Sequence, residues 1–189
     1  KHADSLYDAQ VLIVGGGGIA QELVRLLEPM RSRVTVVRKR PDEEFEHSPF
    51  SRTVGFEQLD KELENAKFVI LACALTEETR FLFHTGRFMA MRSDAYLVNI
   101  ARGEVVDQEA LMTALEEGQI AGAATDVTYP EPLPDGHPLW DVENLIITPH
   151  TADTMEIVTG LFAQRLRENV AAWIAGSQLV GVVDPDLGY

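Results

Sequence analysis

Four consecutive glycines, Gly15–Gly18, lie between the apolar run Val11–Val14 and a segment with helical periodicity. A short β-branched run that ends in glycine is typical of a buried strand. Backbone N–H groups at the start of a helix have no partner within the helix, and the helix dipole favours negative charge there. A strand, a glycine turn and a helix in this order can therefore bind a phosphate group.

The spacing of the small residues narrows this chemistry to a dinucleotide. Gly15, Gly17 and Ala20 match the G-x-G-x-x-G/A pattern, in which glycine permits a tight turn and a close approach of the backbone to a pyrophosphate. Glycine-rich turns also occur as plain connections, so the prediction depends on the flanking strand and helix. The predicted cofactor contacts in this loop are Gly15, Gly17, Gly18 and Ile19.

Three basic residues, Arg38, Lys39 and Arg40, follow a second β-branched run, Val34–Val37. About 20 residues beyond the glycine loop, NAD-dependent enzymes place an acidic residue against the ribose 2′-hydroxyl group. Here Arg38 holds that position and no acid follows it until Asp42, and an arginine can hydrogen-bond a 2′-phosphate instead. The three basic residues therefore favour NADP over NAD as the cofactor. The alternative is a basic loop on an acidic protein that uses NAD.

Three further side chains could act on a small carboxylic acid: Arg102, Glu131 and His150. Each follows a predicted strand, and ligands of open parallel sheets bind beyond the carboxyl ends of the strands. A guanidinium group can bind a carboxylate through two parallel hydrogen bonds, and an imidazole can donate a proton near neutral pH. Taken alone, each has a plainer interpretation: a surface arginine, a solvated carboxylate and a loop histidine.

Strands that alternate with helices must position these groups. The predicted strands are Val11–Val14, Val34–Val37, Phe68–Ala72, Tyr96–Ile100, Ala121–Thr125 and Leu145–Thr148. Their alternation with helical segments, without hairpin signals, predicts an α/β fold with a Rossmann-type, doubly wound parallel sheet. Asp42–Ser51 is predicted to be an acidic surface loop. The predicted buried face of the helix after the glycines consists of Ile19, Leu23, Leu26 and Leu27.

A long amphipathic helix is predicted after His150, ending near Gly176. We therefore expect a dinucleotide-binding domain over residues 1–150 and a C-terminal helix and tail over residues 151–189. The helix is expected to leave the sheet and to expose an apolar strip. Its exposed residues should include some of Leu161, Leu166, Val170 and Trp173.

Composition limits the classes of partner. The chain has 189 residues, of which 46% are hydrophobic and 24% charged, as expected for a globular domain. A net charge of −14 argues against nucleic acid or an anionic membrane as the main partner. No apolar run approaches the roughly 20 residues that a membrane span needs. Cys73 is the single cysteine, so neither disulfides nor a cysteine metal site is expected, which fits a cytoplasmic protein.

Four motifs follow one another along the second half of the sheet. Leu71–Arg80 matches most of L-x-x-P-L-T-x-x-T-R, with Ala74 in place of the proline, and Leu97–Asp107 contains N-x-A-R-G-x-x-V-D. Ala123–Leu133 is close to G-x-x-D-V-F-x-x-E-P-L, and Ile147–Ala152 contains T-P-H-x-A. In this order they closely resemble the signatures of the D-isomer-specific 2-hydroxyacid dehydrogenases.

This resemblance implies a role for each candidate residue. Arg102 would bind the substrate carboxylate, and His150 would donate the proton. Glu131 would pair with His150, because a bonded carboxylate favours the charged imidazole. Asp126 would accept a hydrogen bond from the nicotinamide carboxamide, and Ala101 would contact the cofactor. The family needs no metal, and its members usually form homodimers through this domain.

The resemblance also implies a second domain. In the family, a substrate domain is built from residues that precede the glycine loop together with the C-terminal tail. This chain begins just before the loop, so most of that domain is expected to be missing. Residues 1–189 alone are therefore expected to bind a cofactor weakly and to reduce little or no 2-oxo acid.

The substrate is expected to be a small 2-oxo or 2-hydroxy acid such as glyoxylate or hydroxypyruvate. Two alternatives stay open: a nicotinamide-sensing corepressor of the same fold, which keeps the same arginine, glutamate and histidine, and the phosphoglycerate enzyme of the serine pathway. Turnover of a 2-oxo acid by the full-length protein would separate an enzyme from a sensing protein.

Overall fold

The computed structural model describes residues 4–45, 48–152 and 155–183. The chain divides into two compact units, Lys1–Thr148 and Pro149–Tyr189. The first unit contains the sheet, and the second contains one long helix and the tail. Residues 184–189, the end of the predicted tail, lie outside the described residues.

A seven-stranded sheet forms the centre of the first unit, and every neighbouring pair of strands is parallel. The strands are β1 (Gln10–Val14), β2 (Arg33–Val37), β3 (Ser51–Val54), β4 (Phe68–Leu71), β5 (Tyr96–Asn99), β6 (Gly122–Thr125) and β7 (Leu145–Ile147). Their spatial order is β3-β2-β1-β4-β5-β6-β7. The order reverses between β1 and β4, which is where doubly wound sheets bind ligands. The predicted Rossmann-type parallel sheet is confirmed.

The strands end at the same level, so the loops that follow them share one edge of the sheet. Val14 lies opposite Val37 on one side and Leu71 on the other, and Leu71 lies opposite Asn99. The glycine loop, the basic residues and the Arg102 loop all begin at this edge. Strand pairing therefore brings together segments that are far apart in sequence.

Successive residues of β1 face opposite layers of the core. Val11 and Ile13 pack in one apolar cluster with α1 (Gly18–Leu27), whereas Leu12 and Val14 pack in the other. The second cluster is covered by α2 (Leu59–Leu63), α3 (Thr85–Ala90) and α4 (Gln108–Glu116). Because both faces are covered, β1 consists almost entirely of apolar residues.

Short 3-10 turns and helix caps complete the connections. The turns are Glu28–Met30, Phe56–Gln58, Gly103–Val105 and Pro138–Asp141. Asp107 caps α4, since its carboxylate accepts hydrogen bonds from the backbone of Glu109 and Ala110, both at 3.1 Å. Gly118 ends this segment with a φ of +68°. Asp107 and Gly118 thus mark the two ends of this helical segment.

Two local predictions are wrong. The buried face of α1 consists of Ala20, Val24 and Leu27, while Ile19 and Leu26 are 58% and 52% exposed. Burial follows an i, i+4, i+7 stripe that starts one residue later than the sequence prediction placed it. Ser51 begins the edge strand β3, whereas the sequence predicts that the surface loop continues to this residue. A four-residue strand with three polar side chains has too little apolar alternation to be found by pattern.

The second unit contains α5 (Met155–Ala175), which is 21 residues long. It ends at Ala175, directly before Gly176, whose φ is +66°, in agreement with the predicted end near Gly176. The predicted apolar strip is confirmed, because Leu161, Leu166, Val170 and Trp173 are 50–75% exposed. Asn169 holds the described part of the tail, since its side-chain amide exchanges hydrogen bonds of 2.9 and 3.0 Å with the backbone of Val180.

None of the helices in the described part of the chain combines the length and apolar character that a membrane span requires.

Candidate functional site

Two glycines of the loop between β1 and α1, Gly15 and Gly17, have different roles. Gly15 has a φ of +116°, and its N–H donates to the carbonyl oxygen of Val37 at 2.8 Å. A Cβ at this position would lie 2.5 Å from the carbonyl oxygen of Ala72, so only glycine fits. Gly17 caps α1 with ordinary extended backbone, and a Cβ there would meet no protein atom within 4 Å. Gly15 is therefore required by the fold, whereas Gly17 leaves open space at the helix start.

Alanine at these two positions should separate folding from cofactor binding. We expect Gly15→Ala to lower the free energy of unfolding by about 2–4 kcal/mol, through the positive φ and the clash with the backbone of Ala72, directly after β4. We expect Gly17→Ala to change stability by less than about 0.5 kcal/mol but to weaken cofactor binding at least tenfold, since a methyl group there would block the pyrophosphate. Urea unfolding and cofactor titration measure the two effects. Parent-like cofactor affinity in Gly17→Ala would contradict the phosphate site.

The basic residues after β2 lie at the same sheet edge. The Arg38 side chain is only 12% exposed. Its guanidinium carbon lies 5.2 Å from the centre of the Phe45 ring, and Nη1 donates to the carbonyl oxygen of Glu44 at 3.4 Å. Gly16 leaves room for it, because a Cβ there would lie 2.9–3.0 Å from Arg38. Arg38 is thus held against the glycine loop.

Lys39 and Arg40 are exposed and form ion pairs. The Lys39 ammonium lies 3.1 Å from the Glu78 carboxylate, and an Arg40 nitrogen lies 2.8 Å from the carboxylate of Glu43. Such surface pairs are usually worth less than about 1 kcal/mol. Both side chains can therefore exchange their acidic partners for a ligand at little cost.

Arg102 is exposed at the end of β5, on a loop that buried neighbours hold in place. The Asn99 side chain, 3% exposed, accepts from the Ala101 N–H and donates to the Arg102 carbonyl, both at 3.0 Å. Arg102 Nη1 donates to the carbonyl oxygen of Ala101 at 2.7 Å. Ala101 is itself 4% exposed. The loop is therefore rigid at its base, while the Arg102 side chain stays accessible.

The loop that carries Glu131 packs directly on the Arg102 loop. A Cβ at Gly103 would lie 2.1 Å from the carbonyl oxygen of Thr128, so glycine alone permits this contact. The Gln108 side chain accepts from the Tyr129 N–H at 2.8 Å and donates to the Tyr129 carbonyl. The Glu131 carboxylate is exposed and accepts from the Thr128 N–H at 3.3 Å. Two segments 21 to 25 positions apart in sequence are thereby joined at one edge of the sheet.

Asp126 directly follows β6, next to these loops. Its carboxylate accepts a hydrogen bond from the Thr148 hydroxyl, and its N–H donates to the Asn99 carbonyl at 3.0 Å. It is half-buried, so one side of the carboxylate is anchored. The contact between Asp126 and a nicotinamide carboxamide stays a prediction.

His150 belongs to the second unit, three positions after the last residue of β7. It is exposed and has a φ of +54°, which few residues other than glycine adopt. Its pairing with Glu131 stays a prediction.

Asn99 and Gln108 contribute to the site but were missed as individual residues by the sequence analysis. Both lie in or beside the Leu97–Asp107 motif, yet neither has the type of side chain that performs acid or base chemistry. An amide at the end of a buried strand was the available signal for Asn99, because a buried amide requires hydrogen-bond partners. No pattern indicated that Gln108 would reach the backbone of Tyr129.

Cys73 offers no nucleophile to this site. It lies two residues beyond β4 and is half-buried, and burial raises the pKa of the thiol to about 11. The thiol is therefore protonated at neutral pH. Within the described ranges, no group of three or more His, Cys, Asp or Glu side chains could hold a metal ion.

The chain is similar to known proteins in both sequence and fold. The family model for the D-isomer specific 2-hydroxyacid dehydrogenase, NAD binding domain, matches residues 1–152. Glyoxylate reductase/hydroxypyruvate reductase of Mus musculus is 36% identical over 177 residues, which are 92% of this chain and 52% of that protein. The chain spans about half the length of the curated relatives it matches.

Two solved structures share the fold over the whole chain. A D-isomer specific 2-hydroxyacid dehydrogenase from Xanthobacter autotrophicus Py2, in complex with NADPH and MES, has a TM-score of 0.87 and 30% identity, and 76% of it is covered. The NADPH-dependent glyoxylate/hydroxypyruvate reductase of Sinorhizobium meliloti, in complex with NADP and sulfate, has a TM-score of 0.88 and 26% identity, and 60% of it is covered. The family model spans most of the length of this chain. The chain therefore belongs to the D-isomer specific 2-hydroxyacid dehydrogenases and contains the NAD binding domain of that family.

Proposed function

We propose that this chain is the cofactor-binding part of an oxidoreductase that interconverts a small D-2-hydroxy acid and its 2-oxo acid. The observation that carries the proposal is the shared sheet edge, where the Gly15–Gly18 loop and the accessible Arg102 guanidinium both lie. A dinucleotide bound along this edge would have its pyrophosphate at α1. The glyoxylate reductase relatives support a substrate as small as glyoxylate or hydroxypyruvate.

Four residues of the chain have separate roles in the proposed reaction. Arg102 binds the substrate carboxylate through its two-pronged guanidinium and polarises the neighbouring carbonyl group. His150 donates a proton to the carbonyl oxygen as that oxygen gains negative charge. Glu131 orients His150 and stabilises its charged form. Asp126 holds the carboxamide end of the cofactor, and the nicotinamide cofactor supplies the hydride when bound.

NADP is the cofactor that the loop after β2 favours. Arg38 lies against the glycine loop in the position where NAD enzymes place an acid, and a guanidinium suits a 2′-phosphate. The part of the cofactor beyond the 2′-phosphate would face the backbone of Gly15, Gly17, Gly18 and Ile19. Ile19 is exposed beside the loop, where an apolar side chain can cover a nucleotide.

Removing Arg38 should weaken NADP selectively. We expect Arg38→Ala to cost about 1–3 kcal/mol of NADP affinity, through loss of charge-assisted hydrogen bonds, and to leave NAD affinity nearly unchanged. Calorimetric titration with both cofactors measures this difference. Arg33→Ala, at the opposite end of β2, is the matched control and should change neither affinity. Tighter binding of NAD than NADP by the parent protein would contradict the NADP preference.

Cofactor oxidation by the full-length protein, with glyoxylate or hydroxypyruvate as substrate, tests the proposed function. We expect turnover with both acids, and faster turnover with NADPH than with NADH. Residues 1–189 alone should bind cofactor and show little turnover, because holding a substrate needs a second wall of the cleft. No oxidation by the full-length protein, with cofactor binding retained, would instead favour a nicotinamide-sensing protein of the same fold.

We also propose that the protein is a cytoplasmic homodimer. The single cysteine supports a reducing compartment, and the family resemblance supports the dimer. Sedimentation of the full-length protein tests the oligomeric state.

A further inference from the structure

The carboxylate of Glu43 lies between two of the three basic residues after β2. One of its oxygens is 2.8 Å from Nη1 of Arg40, and the other is 3.6 Å from Nη2 of Arg38. Each oxygen thus faces a different guanidinium group. An anionic group between two arginines is the arrangement in which proteins bind a phosphate.

Arg38 is fixed in this arrangement, whereas Glu43 is not. The Arg38 side chain is 12% exposed. It packs against Phe45, the Glu44 carbonyl and Gly16. The Glu43 side chain is 50% exposed, on a loop beyond the end of the sheet. The cation therefore stays in place while the carboxylate can rotate into solvent.

We propose that the Glu43 carboxylate occupies the subsite that the 2′-phosphate of NADP takes, so that the phosphate must displace it. Glu43 is then a specificity-determining residue that weakens NADP binding and leaves NAD binding nearly unaffected. The proposal rests on the proposed use of Arg38 as the 2′-phosphate ligand. A displaced carboxylate also stays close to the bound phosphate and repels it.

The substitution Glu43→Gln tests this role because it removes the charge and keeps the size of the side chain. ADP-ribose and 2′-phospho-ADP-ribose are suitable probes, since they differ only in the phosphate group and require no nicotinamide or substrate contacts. Calorimetric titration of the full-length protein should show that E43Q binds 2′-phospho-ADP-ribose about three- to fivefold more tightly than the parent. Its affinity for ADP-ribose should change less than twofold.

Glu44→Gln is the matched control. It makes the same change in net charge one residue further on, but Glu44 contacts Arg38 through its backbone carbonyl, not its carboxylate. We expect it to change the affinity for either probe less than twofold. An equal gain in E44Q, or equal gains for both probes in E43Q, would overturn the proposal, because either result would indicate a general charge effect.

Unchanged or weaker binding of 2′-phospho-ADP-ribose by E43Q would also overturn it, since Glu43 would then not compete with the phosphate. Failure of the underlying NADP preference gives a different result. In that case the parent protein binds ADP-ribose more tightly than 2′-phospho-ADP-ribose, whatever the ratio of the E43Q affinity to the parent affinity.

Discussion

Replacing His150 by alanine in the full-length protein should lower turnover of a 2-oxo acid by about a hundredfold or more. The reason is loss of the proton donor for the oxygen that becomes the hydroxyl group. Cofactor affinity should barely change, because the phosphate and ribose contacts lie in the loops after β1 and β2. Steady-state cofactor oxidation and cofactor titration of the same variant measure the two effects.

His84 provides the control for this substitution. Its imidazole caps α3 by accepting from the Gly86 N–H at 3.1 Å, so its role is structural. His84→Ala should leave turnover nearly unchanged. Glu131→Gln should fall between the two, since it keeps the shape of the side chain but removes the charge that supports His150. Parent-like turnover in His150→Ala would remove this histidine from the proposed mechanism.

Replacing Arg102 by lysine should lower kcat/KM for the 2-oxo acid by about 10- to 100-fold, although the charge is kept. An ammonium group cannot form the two parallel hydrogen bonds by which a guanidinium binds a carboxylate. The loop should still fold, because Asn99 holds it through the backbone of Ala101 and Arg102. Steady-state kinetics with glyoxylate, together with urea unfolding, measure both outcomes.

Arg92 is the matched control for Arg102. It precedes β5, at the opposite edge of the sheet, and pairs with Asp94 at 2.8 Å. Arg92→Lys should leave kcat/KM within twofold of the parent. If Arg102→Lys also reduced the 2-oxo acid with parental efficiency, the two-pronged contact with the carboxylate would be wrong.

Local signals predicted the strands and the glycine loop well. β1, β2 and β4 are short apolar runs beside glycine or polar segments, and the pattern needs no knowledge of distant residues. β3 was missed because an edge strand is buried on few sides and tolerates polar residues such as Ser51 and Arg52. The face of α1 was misplaced because periodicity alone leaves its direction uncertain by about one residue, and packing on β1 decides it.

In the candidate site, too, local patterns predict some features, whereas contacts between loops decide the others. That Arg38, Arg102 and Asp126 follow strands could be predicted, and parallel pairing then brings them to one edge. The partners of these residues could not be predicted, because they depend on contacts across loops. Gly103 against Thr128 and Glu43 against Arg38 are examples, and no spacing in the chain indicates either.

By itself, the sequence determined the strand–glycine–helix junction, the parallel α/β class and the types of side chain available for chemistry. These depend on residue type and on neighbours a few positions away. The tertiary structure alone decided that Arg38 packs against Gly16 and Phe45 and that Gln108 joins the Glu131 loop to α4. It also decided that Lys39 and Arg40 form ion pairs with acidic side chains. Such contacts depend on which side chains meet after the sheet has formed, and burial and close packing fix them only in three dimensions.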